Sequence, residues 1–256
     1  MTALPTPYYS ADGIQIFHAD CRDILPLIEP ATVDLVLTDP PYGVQYVTGM
    51  RSHTDPLVAE IANDESLNIV ADAMPMLDRL LAPNRHAYAF ASPAKIGDAT
   101  ALLADWWQIK NLLVWDKGEA GSVGDLDAGY GVNWEAVIYA SKGRRPLNGK
   151  RPRCIYRYEW SGSRDPVHPT VKPVGLLAWL IAKSSNDGEL VLDPFMGSGP
   201  TLRAARDLGR RAIGIELEER YCEAAVRRLQ QSVLPMFADV TIDRAPAPAS
   251  RLTGVA

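Results

Sequence analysis

Short apolar runs bounded by glycine, proline or polar turns recur along the 256-residue chain, and stretches with helical spacing of apolar positions lie between them. The runs predict strands at about 14–17, 33–38, 86–91, 110–115, 134–140, 190–193 and 211–216. The longer patterns predict helices at about 22–28, 66–82, 95–105, 173–185, 200–208 and 218–232. Such alternation specifies an α/β fold with a doubly wound, mostly parallel sheet covered on both faces. No internal repeat is visible. Three gaps interrupt the pattern: polar residues 43–65, glycine-rich residues 117–132, and the tail 244–256, which reads as disordered.

Two strand ends carry unusual chemistry. The run Val33-Asp34-Leu35-Val36-Leu37 leads into Thr38-Asp39-Pro40-Pro41-Tyr42-Gly43. Each proline fixes its own φ and biases the preceding residue toward extended geometry, so the Asp39 carboxylate and the Pro40 carbonyl are presented as rigid acceptors. An exocyclic base amine becomes nucleophilic only when acceptors hold its N–H bonds and let the nitrogen pyramidalise. Tyr42 offers a face on which an extruded base stacks, a contact worth roughly 1–3 kcal/mol. The plain alternative is a turn that merely closes a strand beside a half-buried aromatic.

The second strand end is Glu189-Leu190-Val191-Leu192-Asp193-Pro194-Phe195-Met196-Gly197-Ser198-Gly199-Pro200-Thr201, read as strand, glycine turn and helix start. After that helix, Arg211-Ala212-Ile213-Gly214-Ile215-Glu216 reads as another strand closed by an acid. This is a nucleotide-binding type of unit, whose glycines admit a ligand close to backbone and whose terminal acid holds ribose hydroxyls. A dinucleotide fingerprint needs a third glycine where Leu202 stands, so a pyrophosphate cradle is disfavoured. A carboxylate at Asp193 repels phosphates and suits a cation. S-adenosylmethionine combines a sulfonium, an amino group and a ribose.

With these motifs in this order, the chain resembles an amino-group DNA methyltransferase of the β, circularly permuted, arrangement. In that family an Asp-Pro-Pro-Tyr motif lies near the N-terminus and the cofactor glycine motif near the C-terminus. The resemblance extends through Gly13 to Asp20, Leu113-Val114-Trp115-Asp116-Lys117, Asn133 to Gly143, His168-Pro169-Thr170-Val171-Lys172-Pro173 and Val191 to Arg228. It implies a Rossmann-like, S-adenosylmethionine-dependent fold with a seven-stranded sheet. Pro200 departs from the pattern, where a small polar residue is expected.

By resemblance, Asp39, Pro40, Pro41 and Tyr42 form the catalytic turn. Asp20 bonds the cofactor's adenine amine, Phe195 packs on that ring, and Glu216 holds the ribose. Asp193, Gly197, Ser198, Gly199 and Thr201 complete the cofactor turn, while His168, Thr170 and Lys172 lie toward the methionine end. Read without the family, Asp20 is equally a cap for the helix that follows it. The implied reaction flips a base from duplex DNA into the pocket. Its amine, held by Asp39 and Pro40, then attacks the methyl carbon in line with sulfur, and alignment contributes roughly 7–11 kcal/mol. No metal is required.

The opening Asp favours adenine N6 as the acceptor. Cytosine N4 transfer shares the geometry and commonly opens with Ser; RNA or protein amide methylation usually opens with Asn. A DNA-binding protein without the chemistry is the non-enzymatic alternative.

Composition adds limits. With 47% apolar residues the chain buries a full core, and 1–256 reads as a single catalytic domain. Cys21, Cys154 and Cys222 are widely spaced and suggest neither a metal site nor a disulfide framework. Neither a leader nor a membrane span is visible, which fits a reducing cytoplasm. The net charge of −5 conceals a strip from Lys142 to Tyr158 with Lys142, Arg144, Arg145, Lys150, Arg151, Arg153 and Arg157 and no acid. That strip is the expected phosphate-binding edge, with Tyr156, Tyr158 and Trp160 as base or sugar contacts.

In this arrangement residues 143–167 form a short DNA-recognition insert, too small for a domain of its own. Recognition is then short and relaxed, or shared with loop 43–65 or with a second subunit; because several members of this arrangement are dimers, the resemblance implies a homodimer, with a monomer as the alternative. The target sequence and any restriction partner are not encoded in these motifs.

Overall fold

The computed structural model describes residues 3–41, 68–118, 128–158 and 171–231. Among them, nine strands form one sheet: β1 (Tyr9–Ala11), β2 (Ile14–His18), β3 (Val33–Thr38), β4 (Leu81–Ala91), β5 (Gln108–Asp116), β6 (Trp134–Lys142), β7 (Ile155–Arg157), β8 (Leu190–Asp193) and β9 (Arg211–Glu216). Their spatial order is β1-β2-β9-β8-β3-β4-β6-β5-β7. The helices are α1 (Cys21–Ile24), α2 (Asn68–Leu80), α3 (Ile96–Ala104), α4 (Val174–Ser184), α5 (Pro200–Asp207) and α6 (Glu219–Gln230).

Side chains alternate across each strand. In β3, Leu35 and Leu37 face the layer of α4, α5 and α6, packing with Leu177, Ile181 and Leu202. Val36 faces the opposite layer of α1, α2 and α3, with Leu25, Met74 and Leu77. Both faces of the sheet are thus covered, as the unbroken apolar strands predict.

Strands β2, β9, β8, β3 and β4 run parallel, so their carboxyl ends share one edge of the molecule. From β8 the chain proceeds outward to β9, whereas from β3 it proceeds the other way to β4. The adjacent pair β8 and β3, registered Leu35 to Val191 and Val36 to Leu192, is therefore the topological switch point. Ligands in open α/β sheets bind in the crevice outside the strand ends at such a point. The chain starts at β1 and β2 in one half, crosses to β3 through β7, and returns for β8 and β9, which is the permuted order.

The sheet has nine strands where seven were expected. β1 and β7 have three residues each and lie at opposite edges, too short for a periodicity signal. The sheet is mostly parallel, but β6 runs antiparallel to both β4 and β5. β4 begins at Leu81, directly after α2, and shifts register against β3 between Val33 and Leu35. The whole of the 43–65 gap, the middle of 117–132 and the tail 244–256 lie outside the described residues. Among the described residues, no helix is long and apolar enough to cross a membrane.

Candidate active site at the strand ends

Asp39 and Pro40 follow β3, Asp193 closes β8, and Glu216 closes β9, so parallel pairing gathers three carboxylates and a fixed carbonyl at the switch point. Antiparallel β6 brings its first residues, Trp134 and Glu135, to the same edge, because Ala136 pairs with Ala91 at the end of β4. Lys117, just beyond β5, joins them. Pro40 and Phe195 line an apolar pocket together with Thr38, Val70, Met74 and Tyr88.

The glycine turn is held by its own backbone geometry. Gly197 and Gly199 have φ of +51° and +73°, in the left-handed region that side chains avoid. At Gly199 a Cβ would also lie 2.6 Å from the Ala225 Cβ. Pro200 then starts α5 with φ preset for a helix, so the residue that departs from the family pattern is locally favourable. Arg228 of α6 donates to the Ser198 carbonyl at 2.9 Å and to its hydroxyl at 3.1 Å, tying the turn to the helix behind it.

The acids here are poised differently from surface carboxylates. Burial pushes the Asp193 carboxyl up to about 7, against the Thr201 hydroxyl and the Phe195 N–H, which favour its ionised form. The Phe195 N–H donates to Asp193 Oδ1 at 3.2 Å. Burial also raises Glu216, although its two oxygens accept from the Gly197 N–H at 3.0 Å and the Glu218 N–H at 2.8 Å. Buried acids that resist ionisation attract a cationic ligand, and clustered shifts of this kind mark functional clefts.

Asp20 is the N-cap of α1, accepting from the Arg22 N–H at 2.9 Å. Its carboxylate also grips the Arg22 guanidinium through two hydrogen bonds of 2.7 and 3.0 Å, which hold its pKa below the usual carboxylate value. The capping role is therefore present whatever else Asp20 does.

Lys172, expected near the methionine end, is bonded to Asp39 in the turn that follows β3. Its ammonium donates to Asp39 Oδ2 at 2.5 Å, lies 3.1 Å from Glu135 Oε2 and sits 5.1 Å from the centre of the Phe90 ring. Only 8% of its side chain is exposed. Burial opposes the charge, but Asp39 and Glu135 outweigh it and raise the pKa. Glu135 is partly buried, which opposes its charge, yet Lys172 and Lys117 hold its pKa down, the latter donating to Oε1 at 2.6 Å. Glu135 and Lys117 carried no signal of their own in the sequence. Tyr42, His168, Thr170 and Trp160 lie outside the described residues.

The basic strip divides in two. Lys142 ends β6 at the opposite edge of the sheet, 3.2 Å from Asp78. Arg145 grips Glu189 through two hydrogen bonds of 3.0 and 3.3 Å and is 10% exposed. Asn148 caps the end of α4, donating to the Ala182 and Ser185 carbonyls, while Lys183 donates to the carbonyls of Asn148 and Lys150. The first half of the strip, with exposed Arg144 and Lys150, is thus anchored far from the strand ends. Exposed Arg151 and Arg153 lead back along the sheet to Arg157, which pairs with Asp116 at the carboxyl edge.

Tyr156 stacks on Trp179 of α4 at 4.3 Å between ring centres, and Tyr158 packs against Gly175. Both rings therefore support β7 from within rather than presenting themselves to a ligand.

A switch-point crevice walled by a glycine turn, a terminal acid and a Pro-flanked carboxylate defines an α/β enzyme that acts on a ligand at its strand ends. The DNA methylase model of the N6 and N4 amino-methyltransferases matches residues 33–227, and the chain belongs to that family. It is an S-adenosylmethionine-dependent DNA amino-methyltransferase. Among relatives, the type II methyltransferase M2.DpnII of Streptococcus pneumoniae is 28% identical over 257 residues, covering 88% of this chain and 92% of the relative. The crystal structure of an M1.HpyAVI–SAM complex matches with a TM-score of 0.65 at 25% identity, covering 84% of this chain and 99% of the other. PvuII DNA methyltransferase, cytosine-N4-specific, shares the fold with a TM-score of 0.70 at 17% identity, covering 88% and 89%.

Proposed function

We propose that this enzyme methylates the N6 amine of adenine flipped out of duplex DNA. The observation that carries this reading is the placement of Asp39 and Pro40 at the end of β3, directly beside Asp193 on β8. The donor set fits S-adenosylmethionine: Glu216 for the ribose hydroxyls, Asp20 for the adenine amine, Phe195 for the ring, and Asp193, Gly197, Ser198, Gly199 and Thr201 around the turn. That cofactor supplies an electrophilic methyl group on a sulfonium. The Asp39 carboxylate and the Pro40 carbonyl accept the two amine hydrogens and turn the nitrogen lone pair out of the base plane. Pro41 rigidifies the turn, and Tyr42 stacks on the extruded base, a contact of roughly 1–3 kcal/mol.

Arg151, Arg153 and Arg157 form the basic path that meets DNA phosphates nearest the site, while Arg144 and Lys150 contact phosphates only where the duplex extends to the opposite edge. The described portion of insert 143–167 includes the α4 anchor at Asn148, so base reading falls to its remainder and to loop 43–65. A homodimer supplying recognition from its second subunit, and a cytoplasmic location, complete the reading.

The test is to incubate the purified chain with labelled S-adenosylmethionine and unmethylated duplex DNA, digest to nucleosides and identify the product by mass spectrometry. N6-methyladenine is the expected product. N4-methylcytosine would reassign the acceptor, and cofactor binding without label in DNA would overturn the reading.

A further inference from the structure

The chain Lys117–Glu135–Lys172–Asp39, buried at Lys172 and partly exposed at the other three, alternates in sign, with separations of 2.6, 3.1 and 2.5 Å between successive partners. Its last member is the carboxylate that the proposed function assigns to the target amine, with 30% of that side chain exposed. We propose that Lys172, held in turn by Glu135, is a positioning residue for Asp39 rather than a contact to the cofactor. This inference rests on the assignment of Asp39 to the amine.

Three features support it. Lys172 precedes Pro173, whose ring restricts the backbone before it, and Pro173 in turn is the N-cap of α4, so the ammonium is delivered from a fixed point. The side chain is buried and its ammonium lies 5.1 Å from the centre of the Phe90 ring, which limits where the ammonium can reach. Glu135 is the second carboxylate on the ammonium, at 3.1 Å, and is itself held by Lys117, whose own ammonium lies 4.9 Å from the centre of the Trp115 ring. A single buried ammonium shared by two acids would be free to favour either; a second cation on Glu135 balances the set.

The chemical consequence is directional. With Asp39 Oδ2 engaged by the ammonium, the carboxylate plane is set, and with it the direction of the acceptor that meets the target N–H. The Pro40 carbonyl is fixed by covalent geometry, but a carboxylate turns about two side-chain torsions. Lys172 removes that freedom before the base arrives. Misplacement of a reacting group by about 1 Å costs roughly a hundredfold in rate.

The experiment uses the full chain and compares wild type with Lys172→Met, Lys172→Arg and Glu135→Gln. S-adenosylmethionine Kd is measured by equilibrium dialysis, and the methyl-transfer rate constant by single turnover at saturating cofactor and DNA. Lys172→Met is expected to slow transfer roughly a hundredfold and Glu135→Gln roughly tenfold, with cofactor Kd within about threefold of wild type. Lys172→Arg keeps the charge with a different donor geometry and is expected to fall between wild type and Lys172→Met. A tenfold or greater rise in cofactor Kd with an unchanged transfer rate would return Lys172 to the cofactor and overturn the inference; so would transfer at the wild-type rate.

If Lys172→Met fails to fold, Lys172→Arg and Glu135→Gln are judged by the same criteria. Loss of folding in all three would reduce the cluster to a structural role and overturn the proposal. Absence of transfer by wild type sinks the proposed function itself, an outcome distinct from any of these.

Discussion

Helix α4 seats a polar network at each end, and the two are built on opposite principles. At its start, Lys172 joins Asp39 and Glu135 in a set of formal charges, close to acids at Asp193 and Glu216 whose ionisation burial resists. At its end, Ser184 joins His86, Tyr88 and Tyr139 in a set of neutral groups. There, the His86 Nδ1 lies 2.8 Å from the Ser184 hydroxyl and Nε2 lies 3.0 Å from the Arg145 carbonyl, so the ring is satisfied on both nitrogens. A neutral, fully bonded network ties β4, β6 and α4 together and asks nothing of a ligand. The charged one stands at the same strand ends as Asp193 and Glu216, whose ionisation burial resists, a condition that a bound cation relieves.

The largest expected effect comes from breaking the charged end. Asp39→Ala removes the acceptor for the amine and should lower the transfer rate by roughly 10²- to 10³-fold, the scale of losing one preorganised electrostatic contact. Cofactor Kd should stay near wild type. Single-turnover transfer and equilibrium dialysis on the same preparation check both halves, and near-normal transfer would remove Asp39 from the reaction.

Next is the turn that forms the cofactor side of that end. Gly199→Ala places a side chain at φ of +73° and 2.6 Å from the Ala225 Cβ. A destabilisation of about 2–4 kcal/mol follows from left-handed strain and overpacking together. Urea unfolding measures it, and a change below about 0.5 kcal/mol would show that α6 yields at Ala225.

The neutral end should show itself through pH. Burial pushes the His86 pKa down to about 4, below the value of 6.5 for a free imidazole. The unfolded chain therefore binds the proton first as pH falls. Stability from this residue is intact above about 6.5, is lost as pH drops toward 4, and changes no further below that. At about 1.4 kcal/mol per pK unit the total is about 3–4 kcal/mol. Asp193 acts in the reverse sense, favouring the fold as pH falls through the range below about 7. The His86 contribution is thus isolated by subtracting the unfolding free energy of His86→Gln from that of wild type between pH 4 and 8. A difference that does not vary with pH would mean that His86 accepts a proton in place.

How much of this was legible in the sequence follows from what each signal depends on. Strands β3, β8 and β9 lie where the apolar runs place them, because a buried parallel strand writes its own limits in uninterrupted apolar residues. The order of Asp39, Asp193 and Glu216 along the chain was visible, and the resemblance said that they converge. The contact between β3 and β8 spans more than 150 residues and leaves no local trace. Glu135 and Lys117 were missed for the same reason: an acid near the start of one strand and a lysine just past the end of another look like solvated ends until antiparallel pairing brings them to Lys172. Counting charge along the strip likewise could not see Asp78 and Glu189, the partners of Lys142 and Arg145.

That strip gives the smallest effects and the clearest contrast between the two ends. Arg145 lies at the neutral end, where its guanidinium grips Glu189 and its carbonyl meets His86. Arg157 lies exposed at the end where transfer is proposed. Arg145→Met should cost about 1–2 kcal/mol in stability, moderated because Arg85 also pairs with Glu189 at 3.2 Å. It should leave the salt dependence of DNA binding unchanged. Arg157→Ala should do the opposite, with unfolding unaffected and the slope of log Kd against log salt reduced by about 0.9, the release of one counterion from duplex DNA. Titrations of labelled duplex at several salt concentrations, beside urea unfolding of each variant, test the pair. If Arg145→Met changed the slope and Arg157→Ala did not, DNA would lie along the opposite edge of the sheet, and the path to the strand ends would have to be redrawn.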